Sequence, residues 1–299
     1  KLLFQLYEDG QWKDIAKDRM DGEVSIKDDV ASAVVTGLKP ETQYRVRAKY
    51  GNHVSGEVTF TTEKEVYLSE KMLDLEEWSY VDGPKATGLA ALGGKGPFWK
   101  HWYPRNNKDE ATEGWCTLNN ITSQDNVYCA YESNSGTIQS TEASSGVYAA
   151  EIRTLGWGEG TTAAAPISTI KNITPGQLFL GKVSGLDYQY GYTFFSRPTA
   201  ISFDYKYIPK GTHQFIAKII LKNNETLIGE KIFSGDAQSS YISKKLYIDY
   251  SFFLKATSIS IIFISGDNTK EEVDTASISR SSEHVGNRLF IDNVSLIYE

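Results

Sequence analysis

The property that most limits what this chain can become is its alternation. Almost every apolar run changes face at every second residue, and no window sustains a helical period. The stretch from Gly286 to Glu299 shows it best. Leu289, Ile291, Asn293 and Ser295 alternate there with Phe290, Asp292, Val294 and Leu296, so both faces carry apolar groups around one central acid. That pattern predicts a strand half buried on each side, closing a two-sheet sandwich. Eighteen tyrosines, against two methionines and two cysteines, suit a pleated surface on which aromatic and β-branched side chains pack well. The chain is therefore expected to be all-β with few helices.

With 299 residues it has room for one large or two moderate domains. A formal charge of -7, with the basic residues scattered, argues against a protein that tracks nucleic-acid phosphates. No apolar run approaches the ~18 residues of a transmembrane span. The opening on Lys1, without Met, reads as a trimmed start. Cys116 in "GWCTLNN" and Cys129 in "NVYCAYE" sit on two expected strands. They are either a cross-strand disulfide or two buried thiols, and neither has a second ligand at zinc spacing.

Residues 1–63 form a first domain. "LLFQLYEDGQWKDI" reads as strand, Asp9-Gly10 turn, strand. The run from Val35 to Ala48, with Thr36-Gly37-Leu38-Lys39-Pro40 leading to Tyr44, resembles the fibronectin type III signature around its tyrosine corner. That resemblance implies an immunoglobulin-like sandwich in which the Tyr44 hydroxyl ties back to the loop before it. Ser55-Gly56 and then Val58 to Thr62 match the last strand of such a domain. The stretch is shorter than the usual ~100 residues, and the first two strands with their core Trp are missing from it. Its expected role is that of a spacer.

Residues 64–69 are a linker, and 70–299 a second domain, too long for a seven-stranded sandwich and suited to a jelly roll with long loops. Gly, Asn and Asp turns such as Asn223-Asn224 and Gly266-Asp267-Asn268 punctuate its strands. The aromatic cluster Phe98, Trp99, Trp102 and Tyr103 lies in "GKGPFWKHWYPRNN", a loop by its Gly, Pro and Asn content. Trp115 and Tyr128 follow, and Trp157 stands among glycines. Any one of these rings can be a hydrophobic lid. As a group they predict a surface that stacks against the flat C–H face of a sugar. Trp99, Trp102, Tyr103, Trp115, Trp157 and Tyr190 are the aromatic candidates, with Asn119 and Arg197 fixing hydroxyls. Arg197 also has a structural reading, as a bridge to Asp204 or Asp187.

Further segments sharpen this. "LDLEEW", "GVYAAEIRTL", "GQLFLG", "TFFSRPTAISFDYKYIP", "LYIDYSF" and the closing "GNRLFIDNVSLIYE" occur in that order. Together they resemble the carbohydrate-metabolism domain family (PCMD) of Bacteroidetes surface and periplasmic proteins, over roughly 70–299. The resemblance implies an exported glycan-binding jelly roll, at the outer-membrane surface or in the periplasm, held by a lipid anchor outside this chain. Its partner would be an oligo- or polysaccharide. No catalytic residues come with it.

Two other readings stay open. A glycoside hydrolase or lyase needs two converging carboxylates. Glu132, Glu142, Glu151, Glu159 and Asp204 are scattered candidates without an E-x-D-x-x-E strand, while Glu271, Glu272 and Asp274 read as a solvated run. The histidines His53, His101, His213 and His284 have no nucleophile elbow. An adhesin binding protein through a flat apolar patch is the other reading. For Ca²⁺, Asp292 with Glu76 or Asp74 offers fewer than the six to eight oxygens that ion takes, so no cofactor is expected.

Overall fold

The computed structural model of the chain describes residues 1–28, 30–105, 114–123, 134–157, 170, 172–252, 254–267, 272–274 and 283–298. Cys129, Tyr128, Glu132, Glu159 and Glu271 lie outside them. The chain divides into two compact units, one of Lys1–Val66 with Ser196–Pro198 and Tyr298, the other Tyr67–Phe195 with Thr199–Ile297.

In the first unit, alternation builds one antiparallel sheet in the order Gln11–Asp14, Leu2–Glu8, Gln43–Tyr50, His53–Val54, with Val58–Thr61 also on Gln43–Tyr50. A separate hairpin pairs Met20–Lys27 with Val30–Val35. Leu6, Ile15 and Tyr44 are its buried centre, with Phe4, Met20, Val35, Leu38 and Val46 packed against them. The Tyr44 hydroxyl accepts the Lys39 N–H at 2.9 Å, the tie-back drawn from the sequence.

The second unit is a sandwich of two antiparallel sheets. The eight-stranded sheet runs Gly114–Thr117, Gln177–Ser184, Ser258–Ile264, Phe215–Asn223, Thr226–Gly235, Asp249–Tyr250, with Asp187–Tyr190 and Tyr192–Thr193 added at its side. The six-stranded sheet runs Thr137–Ser140, Ala149–Trp157, His284–Ile297, Ala200–Ile208, Gln238–Tyr247, with Asn172–Thr174 on Ala149–Trp157. Between them Phe203, Tyr205, Tyr207, Phe215 and Phe263 are almost fully buried. Phe203 meets Phe263 at 5.0 Å and Tyr205 meets Phe215 at 4.8 Å, in the tilted and edge-to-face geometries that ring quadrupoles favour.

The closing strand is more central than its sequence alone predicts. His284–Ile297 lies between two neighbours, and Phe290 and Asp292 are buried on the face away from the sandwich core. A bulge shifts its register against Ser202 and Asp204, and Asn293 takes φ 50°. The extra residue resets the alternation, so Leu289 and Ile291 before it and Val294 and Leu296 after it are all buried.

Candidate functional site

A small hairpin outside both large sheets positions the site. Ser79–Asp82 pairs with Lys100–Tyr103, setting Tyr80 opposite Trp102 and Asp82 opposite Lys100 on one face. The Trp102 ring lies 4.9 Å from Tyr80 and 6.5 Å from Trp78, and the Lys100 ammonium stands 3.9 Å over Tyr80. Between the two strands, Gly96 adopts φ 74°, and a Cβ on it would press on the Phe98 ring at 3.0 Å. Gly83 is the seat of Trp99: a Cβ there would lie 2.7 Å from the indole. These two glycines let rings lie directly on backbone.

The hairpin and the segment between its strands border a cleft of about 260 Å³. Phe98, Trp99 and Trp102 with Pro97 supply its apolar lining, and Ile138 and Arg153 of the six-stranded sheet complete it. Asp82, Lys100, Asn134 and Glu283 add polar groups. The polar side is wired together. Glu283 accepts from Asn134 Nδ2 at 2.9 Å through one carboxylate oxygen and from Arg153 at 2.9 Å through the other. Arg153, 3% exposed, also donates to the Ser135 carbonyl at 2.7 Å. The cleft thus combines rings for stacking with donors and acceptors in one lining, which is how sites for polar, flat-faced ligands are built.

The residues singled out from the sequence separate. Trp99 and Trp102 line the cleft; the others stand elsewhere. Tyr103 points off the opposite face of its strand, beside His101 at 4.7 Å, into a cavity of about 10 Å³ shared with Cys116, Thr117 and Asn120. That space suits a single water. His101 contacts Ser123 Oγ at 2.6 Å, and burial pulls its pKa down to about 4. Trp115 is 2% exposed, in the eight-stranded sheet. Asn119 is fully buried as a backbone staple: its amide donates to the carbonyls of Trp102 and Thr137, and its oxygen accepts the Thr137 N–H. Its side chain is engaged by backbone groups, and through the Trp102 carbonyl it ties that residue in place.

Trp157 ends its strand with its indole N–H on Thr174 Oγ1 at 2.8 Å. Tyr190 belongs to a separate exposed pair with Tyr188, 5.4 Å apart, both resting on Phe179. Its hydroxyl donates to Gln177, and although the ring is exposed at one edge, partial burial against its neighbours raises its pKa to about 12. Arg197 pairs with Glu63 at 3.0 Å, a partner that neither sequence reading named.

Cys116 is buried, with Sγ 3.3 Å from the Gly181 carbonyl. Asp292 accepts the N–H groups of Ser144 and Ser145, and Glu76 those of Val147 and Tyr148, so both acids anchor one loop. Among the acids weighed for hydrolysis, Glu151 pairs with Arg288, Glu142 with Lys206, and Asp204 accepts from Ser144 and Ser243. None of these three lines the cleft. Its carboxylates are Asp82 and Glu283, which sequence reasoning missed. Asp82 carried a signal, since it continues the alternation Trp78, Tyr80; Glu283 carried none.

No family model matches the chain, and no curated protein does. Among solved structures, a family 16 carbohydrate-binding module is similar at 11% identity and TM-score 0.30, over 54% of this chain and 85% of that one. A family 11 carbohydrate-binding module from Clostridium thermocellum, in complex with a β-1,3-1,4-mixed-linked tetrasaccharide, is similar at 14% identity and TM-score 0.31, over 64% and 93%. A structure described as a promiscuous carbohydrate-binding module of the β-sandwich superfamily is similar at 8% identity and TM-score 0.32, over 99% and 86%. Superpositions this distant leave function to the residues themselves.

Proposed function

We propose that the second unit is a glycan-binding module of an exported protein, taking sugar in the cleft between the Ser79–Asp82/Lys100–Tyr103 hairpin and the six-stranded sheet. The observation that carries this reading is the juxtaposition of Phe98, Trp99 and Trp102 with Asp82, Lys100, Asn134, Arg153 and Glu283 around about 260 Å³. A pyranose has one C–H face that favours an indole and a rim of hydroxyls that both donate and accept. The cleft offers ring faces, two carboxylates that only accept, two cations that only donate, and an amide that does both. The first unit is read as a spacer, and a lipid anchor outside this chain would hold the protein at the cell surface or in the periplasm.

The test is a panel of oligo- and polysaccharides titrated against the full chain by tryptophan fluorescence, with reducing ends assayed in the same wells. Binding without release is expected, with affinity falling at least about tenfold in Trp99→Ala, the loss of one stacking ring. Release of reducing ends would support the hydrolase reading instead and direct attention to Asp82 and Glu283. Silence in both channels would discard the glycan reading and favour the protein-binding one.

A further inference from the structure

One residue of the cleft lining, Arg153, keeps a donor without a partner among the described residues. Arg153 Nε is buried and has no hydrogen-bond partner among the described residues. The other two guanidinium nitrogens are engaged, one by Glu283 and one by the Ser135 carbonyl. A buried donor of a charged group without an acceptor costs more than an ordinary hydrogen bond contributes, so a ligand oxygen that satisfied it would be strongly favoured. Chain geometry alone does not explain the arrangement. The backbone of Arg153 is fully used, its N–H donating to Gly136 and its carbonyl accepting from Gly176. The residue is thus fixed in the cleft lining while one of its donors goes unmatched.

Charge narrows what the ligand can be. Lys100 and Arg153 are balanced by Asp82 and Glu283, two of each sign around one small volume. Because the lining carries no net charge, the carboxylate of an anionic sugar gains no net attraction there to offset the loss of its hydration. An uncharged sugar meets donors and acceptors alike. Size narrows it further: about 260 Å³ falls just under the ~300–1,000 Å³ of pockets that enclose drug-sized ligands. One ring and its substituents match such a volume, and a longer chain would extend beyond it.

Resting on the glycan reading above, we propose that the cleft takes a single uncharged pyranose ring and that Arg153 sets its specificity, donating Nε–H to one oxygen of that ring. Glu283, its side chain 52% exposed and joined to Arg153 through one oxygen, shifts with the guanidinium as Nε turns to the ligand oxygen. Lys100 and Asn134 then serve the outer hydroxyls. Arg153 reads one position of the sugar, and the tryptophans hold the ring without discriminating its hydroxyls.

The experiment uses the full chain and calorimetric titration with methyl glycosides of glucose, galactose, mannose, xylose and N-acetylglucosamine, their hexuronate counterparts, and monodeoxy analogues of whichever binds. At least one neutral glycoside is expected to bind, with its hexuronate about tenfold or more weaker. One deoxy position is expected to weaken binding about tenfold, the loss of a single charge-assisted hydrogen bond. In Arg153→Lys that one penalty is expected to shrink below about threefold while the other deoxy penalties persist. A hexuronate that binds as well as its neutral counterpart overturns the uncharged-ligand assignment. A deoxy profile identical in wild type and Arg153→Lys overturns the role of Arg153. The hexuronate comparison and the wild-type deoxy series need no variant, so a poorly folded Arg153→Lys leaves the proposal exposed to both. If no glycoside binds while a longer oligosaccharide does, with Trp99→Ala still weakening it, the single-ring proposal falls and the glycan reading survives. If nothing binds at all, both fall together.

Discussion

Two short strands of the second unit make an instructive pair. Lys100–Tyr103 and Gly114–Thr117 are each four residues long, and each carries one tryptophan. Trp102 lines the cleft, while Trp115 is 2% exposed and lies 6.3 Å from Phe263 in the sandwich core. Residue type and strand length do not separate them. Their pairing does. Gly114–Thr117 is hydrogen-bonded to Gln177–Ser184, and so joins the eight-stranded sheet, whose inner face is the core. Among the described residues Lys100–Tyr103 pairs only with Ser79–Asp82, and its Trp102 lines the cleft instead. A tryptophan is a core residue or a binding residue according to what its backbone is bonded to.

The sharpest way to break this comparison is to truncate both rings. Trp115→Ala is expected to destabilise the second unit by about 3–5 kcal/mol, the range for losing a fully buried large ring. Trp102→Ala is expected to cost clearly less in denaturant unfolding, because its ring is only partly buried. Equal losses would mean that the hairpin is as much core as the sheet.

A second effect belongs to the back of the same hairpin strand. Burial holds His101 neutral, with its pKa pulled down to about 4 from the ordinary 6.5. The unfolded chain therefore binds a proton in a range where the folded chain does not. The stabilisation is fully present above about pH 6.5 and is lost as pH falls towards 4, by up to about 3 kcal/mol. His101→Gln should flatten that stretch of the stability–pH curve, read by thermal unfolding between pH 4 and 7. An unchanged slope would show that other groups cause it.

The smallest expected effect tests how Trp99 is seated. Gly83→Ala must push the indole away, since the new Cβ would lie 2.7 Å from it. About 1 kcal/mol of stability, at the low end of overpacking, and about fivefold in sugar affinity are expected to go. No change in affinity would mean that the position of Trp99 is not critical to the cleft.

Much of the architecture was legible because alternation acts locally. The strands of the sandwich, the Tyr44 tie-back and the turns at Asn223-Asn224 all follow from near neighbours in the chain. The bulge at Asn293 was not legible, because a single unpaired residue leaves composition and pattern unchanged while resetting every side chain beyond it. In the cleft, "GKGPFWKHWYPRNN" did indicate Trp99 and Trp102, and its glycines are what let Phe98 and Trp99 lie on backbone. The same reasoning could not separate these rings from Trp115 or Trp157, and it gave Asn119 a hydroxyl to hold when it holds Trp102 instead.

By itself, then, the amino-acid order determined that this is an all-β chain and which segment clusters Phe98, Trp99 and Trp102, since period and turn chemistry are properties of a few adjacent residues. Only the tertiary structure decided which rings meet and which charges face them. Asp82, Asn134, Arg153 and Glu283 come from four separate segments and line one cleft. Their convergence depends on strand order and register across two sheets, long-range pairings that no local stretch of sequence encodes.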